Sequence, residues 1–242
     1  MVFTLTLITC YIIYGPAQFS TQETEVGPVT LLVTEIFYSI QGESVWTGLP
    51  CGFIRLSGCN LRCHYCDTPY AYEPGQPMPV DEIIDRINRY GCPRVTVTGG
   101  EPLLQEASPS LVSKLIKKGY QVSVETNGSF NIERLDRGCI KIVDVKCPSS
   151  GMQNHNRMEN LRVLGPEDQI KFVIADKQDF DFSLAIAKRI SSDVESKRIW
   201  FSPASGILPA DRLAKWMLES NACGRLQLQL HKILWPDKDR GV

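Results

Sequence analysis

The chain has 242 residues, of which 43% are hydrophobic and 22% charged, and its formal net charge is −1. Such a composition is typical of a globular protein, and this length fits one sizeable α/β domain without requiring a second. Because there is no block of basic residues, the charge pattern gives no support for a nucleic-acid partner.

The first fourteen residues are mostly apolar and carry no charge. They lack the basic region and the cleavage site of a signal peptide, and the run is too short to span a bilayer. We therefore expect residues 1–30 to be a poorly ordered N-terminal extension, residues 31–242 to be a single domain, and the protein to have no membrane partner.

Further along, short β-branched runs alternate with amphipathic segments, which predicts βα units and a mostly parallel sheet. The predicted strands span residues 52–57, 94–98, 121–125, 140–146, 169–174, 199–201 and 226–230. Hydrophobic residues at helical spacing predict helices near residues 80–87, 111–117, 182–190 and 211–219. Six or so βα units are fewer than the eight of a closed barrel.

Three cysteines, Cys59, Cys63 and Cys66, follow the first of these strands in one short loop. Fe–S clusters and closed structural zinc sites normally take four ligands, so three thiolates suggest a [4Fe–4S] cluster with one open iron. The alternatives are a redox Cys-x-x-Cys and a zinc knuckle completed by His64 or a distant cysteine. Against the knuckle, the next cysteine, Cys92, stands alone.

Nine cysteines are an odd number, and three of them are needed as free thiolates. A disulfide framework is therefore not expected, and a reducing, cytoplasmic location fits better.

Three polar motifs each follow a predicted strand. The glycines of Thr98-Gly-Gly-Glu-Pro102 allow the backbone to approach a ligand closely. Glu125-Thr-Asn-Gly128 offers polar side chains, although it also has the composition of an ordinary turn. In the segment 144–151, Lys146 and Ser149 suit a carboxylate ligand. Since ligands of parallel sheets bind at the carboxyl ends of strands, these motifs are expected to meet at one site.

The cysteine triad and the Gly-Gly-Glu motif resemble those of the radical S-adenosylmethionine (SAM) superfamily. The resemblance implies a partial, open (βα)6-type barrel and a [4Fe–4S] cluster bound by Cys59, Cys63 and Cys66. It also implies SAM on the open iron, a 5′-deoxyadenosyl radical, and an external electron donor such as flavodoxin or ferredoxin. The SAM contacts that it implies are Tyr65, Cys66, Asp67, Gly100, Glu101, Glu125, Asn127, Lys146 and Ser149.

The segments 35–43, 48–56 and 58–68, with the three motifs above, look like those of the 7-carboxy-7-deazaguanine synthase family. This resemblance spans roughly residues 34–235 and is densest before Gly151. It implies a lyase of the queuosine and deazapurine pathway, which serves tRNA modification. The reaction converts 6-carboxy-5,6,7,8-tetrahydropterin to 7-carboxy-7-deazaguanine with loss of ammonia, regenerates SAM and requires Mg²⁺. A homodimer is also implied.

By this resemblance Thr68 is the Mg²⁺ ligand, and the substrate contacts are Ile40, Gln41, Gly42, Glu43, Arg55, Thr98 and His231. The residue types suit these roles. The Gln41 amide can both donate to and accept from the edge of a pterin ring, and Arg55 offers a planar two-donor fork. A single hydroxyl can bind Mg²⁺ if the substrate carboxylate helps. No general base can be nominated from the sequence.

Two other functions stay open. Another radical SAM enzyme, such as an activase or a peptide-modifying enzyme, would share the cluster and the Gly-Gly-Glu motif but not Gln41, Arg55 and Thr68. A non-catalytic zinc or iron–sulfur scaffold would share only the cysteines. Metal analysis separates the scaffold from the enzyme, since bound zinc would support the scaffold and iron with sulfide the enzyme.

Overall fold

The computed structural model describes residue 27 and residues 29–190 and 195–242. Apart from residues 27, 29 and 30, the segment expected to be a poorly ordered extension lies outside the described residues. The assignment of residues 1–30 to an extension and of 31–242 to one domain therefore stays a prediction.

A nine-stranded sheet is the frame of the described residues, in the order β3-β1-β2-β4-β5-β6-β7-β8-β9. The strands are β1 (Thr30–Ile40), β2 (Pro50–Leu56), β3 (Gln76–Pro79), β4 (Arg94–Gly99), β5 (Gln121–Thr126), β6 (Ile140–Asp144), β7 (Gln169–Ile174), β8 (Ile199–Pro203) and β9 (Arg225–Leu226). In the part of the sheet with the order β2-β4-β5-β6-β7-β8-β9, each strand runs parallel to the next. The end strands β3 and β9 do not pair with each other, so the predicted partial, open barrel is confirmed.

The helices are α1 (Val80–Asn88), α2 (Ser108–Lys117), α3 (Lys177–Ile190), α4 (Ala210–Glu219) and α5 (Leu230–Leu234). In α1, four apolar residues at helical spacing are buried against the sheet: Val80, Ile83, Ile84 and Ile87. Asp81 and Glu82 lie in its first turn, where negative charge suits the helix dipole. No helix among the described residues is both long enough and apolar enough to cross a membrane.

The two faces of the sheet differ in polarity, as the side chains of β4 illustrate. Val95 and Val97 belong to the main hydrophobic core, whereas Thr98 faces a cavity inside the barrel. The neighbouring β5 repeats this alternation, with Val124 in the core and Glu125 at the cavity. Since successive side chains of a strand point to opposite faces, this pattern places the core under the helices and a polar chamber inside the sheet.

The strand β3 was not predicted, and two further elements also differ from the sequence-based expectation. The last strand, predicted over residues 226–230, ends at Leu226, and Leu230 begins α5. Hydrogen bonding explains the difference, because the Leu230 N–H donates to the Gly42 carbonyl at 3.0 Å and so draws the chain away from the sheet. The strand β1 was not predicted, and it is antiparallel to both β2 and β3.

Candidate active site

One open cavity inside the barrel has an empty volume of about 1130 Å³, including its mouth. Most of the predicted site residues line it: Ile40, Gln41, Gly42, Glu43, Arg55, Cys59, Cys63, Cys66, Asp67, Thr68, Thr98, Gly100, Glu125, Asn127, Lys146 and His231. The predicted residues Tyr65, Glu101 and Ser149 are not part of this lining.

The three cysteines of the loop after β2 are free thiols, and each is partly buried at the cavity wall. Burial raises the pKa of the Cys59 and Cys63 thiols, and the positive charge of Lys146 opposes that rise in both. The Leu61 N–H already donates to Cys59 Sγ at 3.4 Å. Three soft thiols on one loop are the donor set of a [4Fe–4S] cluster with one open iron, so the residues present fit that group.

The Gly-Gly-Glu turn is packed directly against the cysteine loop. A Cβ at Gly100 would lie 2.3 Å from the carbonyl oxygen of Gly58 and 2.8 Å from Cys59 Cβ, so only glycine fits there. The next residue reinforces this contact, since the Glu101 N–H donates to the Gly58 carbonyl at 2.8 Å. The end of β4 therefore fixes the start of the loop that carries the thiols.

The Glu101 side chain is fully buried behind the cavity wall. Its carboxylate accepts hydrogen bonds from Leu103 N (2.9 Å), Thr126 Oγ1 (2.8 Å) and Asn127 N (2.6 Å). Burial raises the pKa of Glu101, and these donors counteract part of that rise. The side chain thus joins the ends of β4 and β5, and the turn presents Gly99 and Gly100 to the cavity.

Two other predicted SAM contacts also have partners away from the cavity. The Tyr65 hydroxyl donates to the Val173 carbonyl at 3.2 Å, and Ser149 Oγ donates to Asp176 Oδ2 at 2.9 Å. Burial raises the pKa of Tyr65, which keeps its phenol protonated. Lys146, by contrast, faces the cavity and pairs with Asp144 at 2.8 Å.

The segment 40–43 reaches the cavity from the opposite end to the cysteine loop. Because β1 is antiparallel to β2, Ile40 pairs with Pro50 at the start of β2 rather than at its carboxyl end. Gln41 is buried, and its Nε2 donates to Thr96 Oγ1 at 3.0 Å inside the barrel. Unlike the three polar motifs, this segment does not lie at the carboxyl end of a parallel strand, although it reaches the same cavity.

Glu43 lies at the centre of a charged network. Its carboxylate forms an ion pair with Lys171 of β7, and both side chains are largely buried. Burial alone would lower the pKa of Lys171, but the negative charges of Glu43 and Asp144 outweigh burial and raise it, so the ammonium is retained. Glu43 also accepts a hydrogen bond from Gln229 Nε2 at 2.8 Å.

The same Gln229 nitrogen donates to Asp67 Oδ2 at 3.0 Å. Asp67 has substantial exposed area, yet its carboxyl group is partly desolvated in the cavity, which raises its pKa. The hydrogen bond from Gln229 and the charge of Lys171 outweigh that effect, so the net pKa of Asp67 is lowered. The Asp67 carboxylate is therefore held in its ionised form beside Thr68.

Arg55 is held by Glu35, with Nε 2.7 Å from Oε1. Tyr70 donates to the same oxygen at 2.9 Å, and the Gly241 N–H donates to Glu35 Oε2 at 3.2 Å. The C-terminal tail thus returns to the cavity, where Val242 forms part of the wall.

Glu125 faces the cavity beside Thr98, whose Oγ1 donates to it at 3.2 Å. Burial, followed by the nearby charge of Glu43, raises the pKa of Glu125.

His231 packs against Gly42, where a Cβ would lie 2.2 Å from the imidazole Nδ1. Desolvation lowers the pKa of His231, which favours its neutral form.

Several cavity residues were not singled out from the sequence, chiefly Lys171, Gln229, Tyr72 and Val242. For Lys171 a signal was available. It is the one charged residue of the strand Gln169–Ile174, and a charge inside a buried strand is costly unless it serves a site. Gln229 and Val242 carry no local signal, because only the return of the C-terminal segment brings them to the cavity.

Comparison with known proteins identifies relatives of this chain. The family model described as the Radical SAM superfamily matches residues 53–144. The chain is 39% identical to a 7-carboxy-7-deazaguanine synthase of Koribacter versatilis, over 87% of this chain and 99% of that one. It is 42% identical to one of Chlorobaculum tepidum, over 88% and 97% of the two chains.

Among solved structures, the crystal structure of QueE from Escherichia coli aligns with a TM-score of 0.62 and 24% identity. The alignment covers 84% of this chain and 95% of that one, and it supports the barrel fold.

Proposed function

This chain belongs to the 7-carboxy-7-deazaguanine synthase family of radical SAM enzymes. We propose which of its cavity residues bind the cluster, SAM, the substrate and Mg²⁺. The enzyme is a lyase that converts 6-carboxy-5,6,7,8-tetrahydropterin to 7-carboxy-7-deazaguanine with release of ammonia, a step of queuosine biosynthesis. The observation that carries the assignment of roles is the single cavity that joins three free thiols to Gln41, Arg55 and Thr98.

On the cofactor side, Cys59, Cys63 and Cys66 hold the [4Fe–4S] cluster. When bound, the cluster and SAM supply the 5′-deoxyadenosyl radical that starts the rearrangement. The loop is stiffened by Arg62, whose Nη1 donates to the carbonyls of Cys59 (2.8 Å) and Leu61 (2.7 Å). This preorganisation keeps the thiols in place before the cluster is bound.

The ends of β4, β5 and β6 would hold SAM. The backbone of Gly100 and the side chains of Asn127 and Lys146 would contact it, since all three line the cavity. Lys146 suits the carboxylate of its methionine part. Glu101 and Ser149 act by holding these strand ends in position, and Tyr65, Cys66 and Asp67 contribute through their backbone.

The substrate occupies the side of the cavity formed by Ile40, Gln41, Gly42, Glu43, Arg55, Thr98 and His231. Carboxylates accept hydrogen bonds from N–H groups, so Glu43 suits the donor edge of a pterin. Glu125 hydrogen-bonds with Thr98, and we place it with these contacts as well as near SAM. The Arg55 guanidinium, fixed through Nε by Glu35, keeps its terminal nitrogens for an anionic or carbonyl group.

Thr68 Oγ1 would hold Mg²⁺, with oxygens of the substrate carboxylate and of water as its further ligands. The cavity position of Thr68 and its bond to Asp67 Oδ1 at 3.0 Å suit a hard, oxygen-preferring ion. The metal would orient the substrate and stabilise negative charge on it.

The deciding experiment incubates the anaerobically reconstituted, reduced protein with SAM, Mg²⁺ and carboxytetrahydropterin. We expect 7-carboxy-7-deazaguanine by mass spectrometry, together with iron and sulfide in the protein. Cys63→Ala should abolish SAM cleavage, while Cys223→Ala, at an exposed cysteine away from the cavity, should not. Stoichiometric zinc without product formation would instead support the scaffold function.

Thr68→Ala tests the metal assignment. The variant should keep its cluster and lose most of its Mg²⁺-dependent turnover, because one ligand of the ion is removed. A Mg²⁺ titration of the initial rate measures this. Unchanged turnover that still requires Mg²⁺ would exclude Thr68 as a ligand.

We also propose, from the family, a cytoplasmic homodimer reduced by flavodoxin or ferredoxin, whose product feeds tRNA modification. Light scattering of the anaerobic protein at several concentrations would test the dimer. Turnover with purified flavodoxin and its reductase, compared with a chemical reductant, would test the donor.

A further inference from the structure

A continuous chain of polar contacts crosses the cavity from β7 to the residue after the cluster-binding loop. Lys171 Nζ pairs with Glu43 Oε2, and Glu43 Oε1 accepts from Gln229 Nε2 at 2.8 Å. The same Nε2 donates to Asp67 Oδ2 at 3.0 Å, and Asp67 Oδ1 accepts from Thr68 Oγ1 at 3.0 Å. The chain thus begins at a substrate-side ion pair and ends at the hydroxyl proposed to bind Mg²⁺.

Gln229 is the link that joins the two halves. Its amide nitrogen carries two hydrogens and gives one to each of two carboxylates, Glu43 and Asp67. One oxygen of each carboxylate therefore lies within 3.0 Å of a single nitrogen. Two negative charges this close would repel each other without a donor between them. A displacement of either carboxylate must then move the amide, and with it the other carboxylate.

At the metal end, the Asp67 contact orients the Thr68 hydroxyl. Because the Thr68 proton is donated to Asp67 Oδ1, the lone pairs of Oγ1 are left for a cation in the cavity. Ligand groups of metal sites are commonly oriented by such outer partners, whose loss typically lowers metal affinity by about 10- to 100-fold.

We propose that Gln229 is a positioning residue that connects the substrate-binding Glu43 to the metal-binding Thr68, so that substrate and Mg²⁺ strengthen each other's binding. This inference rests on the function proposed above. Thermodynamic reciprocity requires that the substrate tighten metal binding by the same factor by which the metal tightens substrate binding. Lys171 holds the far end of the chain by fixing Glu43.

The test uses Mn²⁺, a spectroscopically visible ion that also prefers oxygen ligands. Mn²⁺ binding to the cluster-loaded protein with SAM is measured by electron paramagnetic resonance of the free ion, with and without carboxytetrahydropterin. In the wild type we expect the substrate to tighten Mn²⁺ binding by about tenfold or more, within the usual range for coupled sites. In Gln229→Leu this tightening should fall by about fivefold or more, since only direct contact between substrate and metal remains.

Gln227→Leu is the matched control. Gln227 is a buried residue two positions earlier, outside the cavity lining, and its Nε2 has no hydrogen-bond partner among the described residues. Removing that amide should leave the substrate-induced tightening at its wild-type value. Equal tightening in Gln229→Leu and Gln227→Leu would overturn the proposal.

A second measurement does not depend on the Gln229 variant folding. Glu43→Gln, in an otherwise native chain, should weaken Mn²⁺ binding by severalfold, although Glu43 does not touch Thr68. Unchanged Mn²⁺ affinity in Glu43→Gln would also overturn the proposal. Failure of the wild type to make the deazaguanine would instead overturn the proposed function, and the product assay shows this separately.

Discussion

Close backbone contact at Gly100 joins the Gly-Gly-Glu turn to the cysteine loop. The glycine is required there by the carbonyl of Gly58, which leaves no space for a side chain. Its conformational freedom matters less than its small size. A single methyl group at this position would therefore act on the cluster without removing any ligand.

We expect Gly100→Ala to lower iron and sulfide content after reconstitution and to destabilise the protein by about 1–3 kcal/mol, because the backbone must shift to relieve the overlap. Metal analysis and urea unfolding under anaerobic conditions measure both effects. Gly165→Ala is the control, since the nearest atom to its Cβ would be 3.4 Å away. Normal cluster content in Gly100→Ala would show that the contact is not critical.

His231 gives a pH-dependent prediction. Desolvation lowers its pKa below the ordinary 6.5, so near and below that pH the unfolded chain binds a proton that the folded protein does not. Stability should therefore fall as the pH drops through this range. His231→Asn should lose less stability between pH 8 and pH 5 than the wild type does, as measured by urea unfolding. His155→Asn, at an exposed histidine, should behave like the wild type.

Residues of the site could be predicted where they belong to a local motif. The thiols, Gly100 and Arg55 fall into this class, since each lies in or directly after a strand with a recognisable pattern. Gln229 was missed because its role depends on contact with Glu43, which is 186 positions away in the chain, and such a contact leaves no pattern in the neighbouring residues. The charge of Lys171 inside a buried strand was a local signal, but it does not identify the partner, Glu43, which is 128 positions away.

At the scale of elements, the segment after β9 closes the site. It leaves the sheet, forms the short helix α5 beside Gly42, and ends with Val242 in the cavity wall. On the way, the Arg240 guanidinium lies 4.2 Å from the centre of the Tyr70 ring. The tail is therefore held at both Tyr70 and Glu35, next to Arg55.

Deletion of residues 240–242 should raise the substrate KM by roughly fivefold, about 1 kcal/mol, because Glu35 loses a donor and the wall beside Arg55 opens. Steady-state kinetics with varied substrate at saturating SAM measures this. Asp239→Ala, at an exposed position of the same tail, should leave the KM unchanged. A normal KM after the deletion would mean that the tail only covers the surface.

The central parallel strands could be predicted closely because apolar and polar residues alternate along them, as in Val95-Thr96-Val97-Thr98. The strand β1 was missed since its polar residues, among them Glu35 and Ser39, obscure that alternation. The false extension of the last strand has a different cause. The apolar residues of 226–230 look like a strand, but the contact with Gly42 determines the path of the chain.

For the whole molecule, the relatives account for most of the chain but not all of it. The Koribacter versatilis protein is covered over 99% of its length by 87% of this chain. The assignment of residues 1–30 to an extension stays a prediction.

A chain that begins at Gly27 should therefore retain the thermal midpoint, cluster content and turnover of the full chain, since β1 begins at Thr30. Differential scanning fluorimetry and the product assay, both under anaerobic conditions, compare the two. A midpoint lower by several degrees would show that the first 26 residues contribute to folding.

The reversed direction of β1 has a consequence for how this scaffold can be altered. The segment 41–49 lines one end of the chamber through Gln41, Gly42 and Glu43 and carries none of the three thiols at the other end. Exchanging this segment for another sequence should therefore alter the binding of heterocycles while the cysteine loop stays intact.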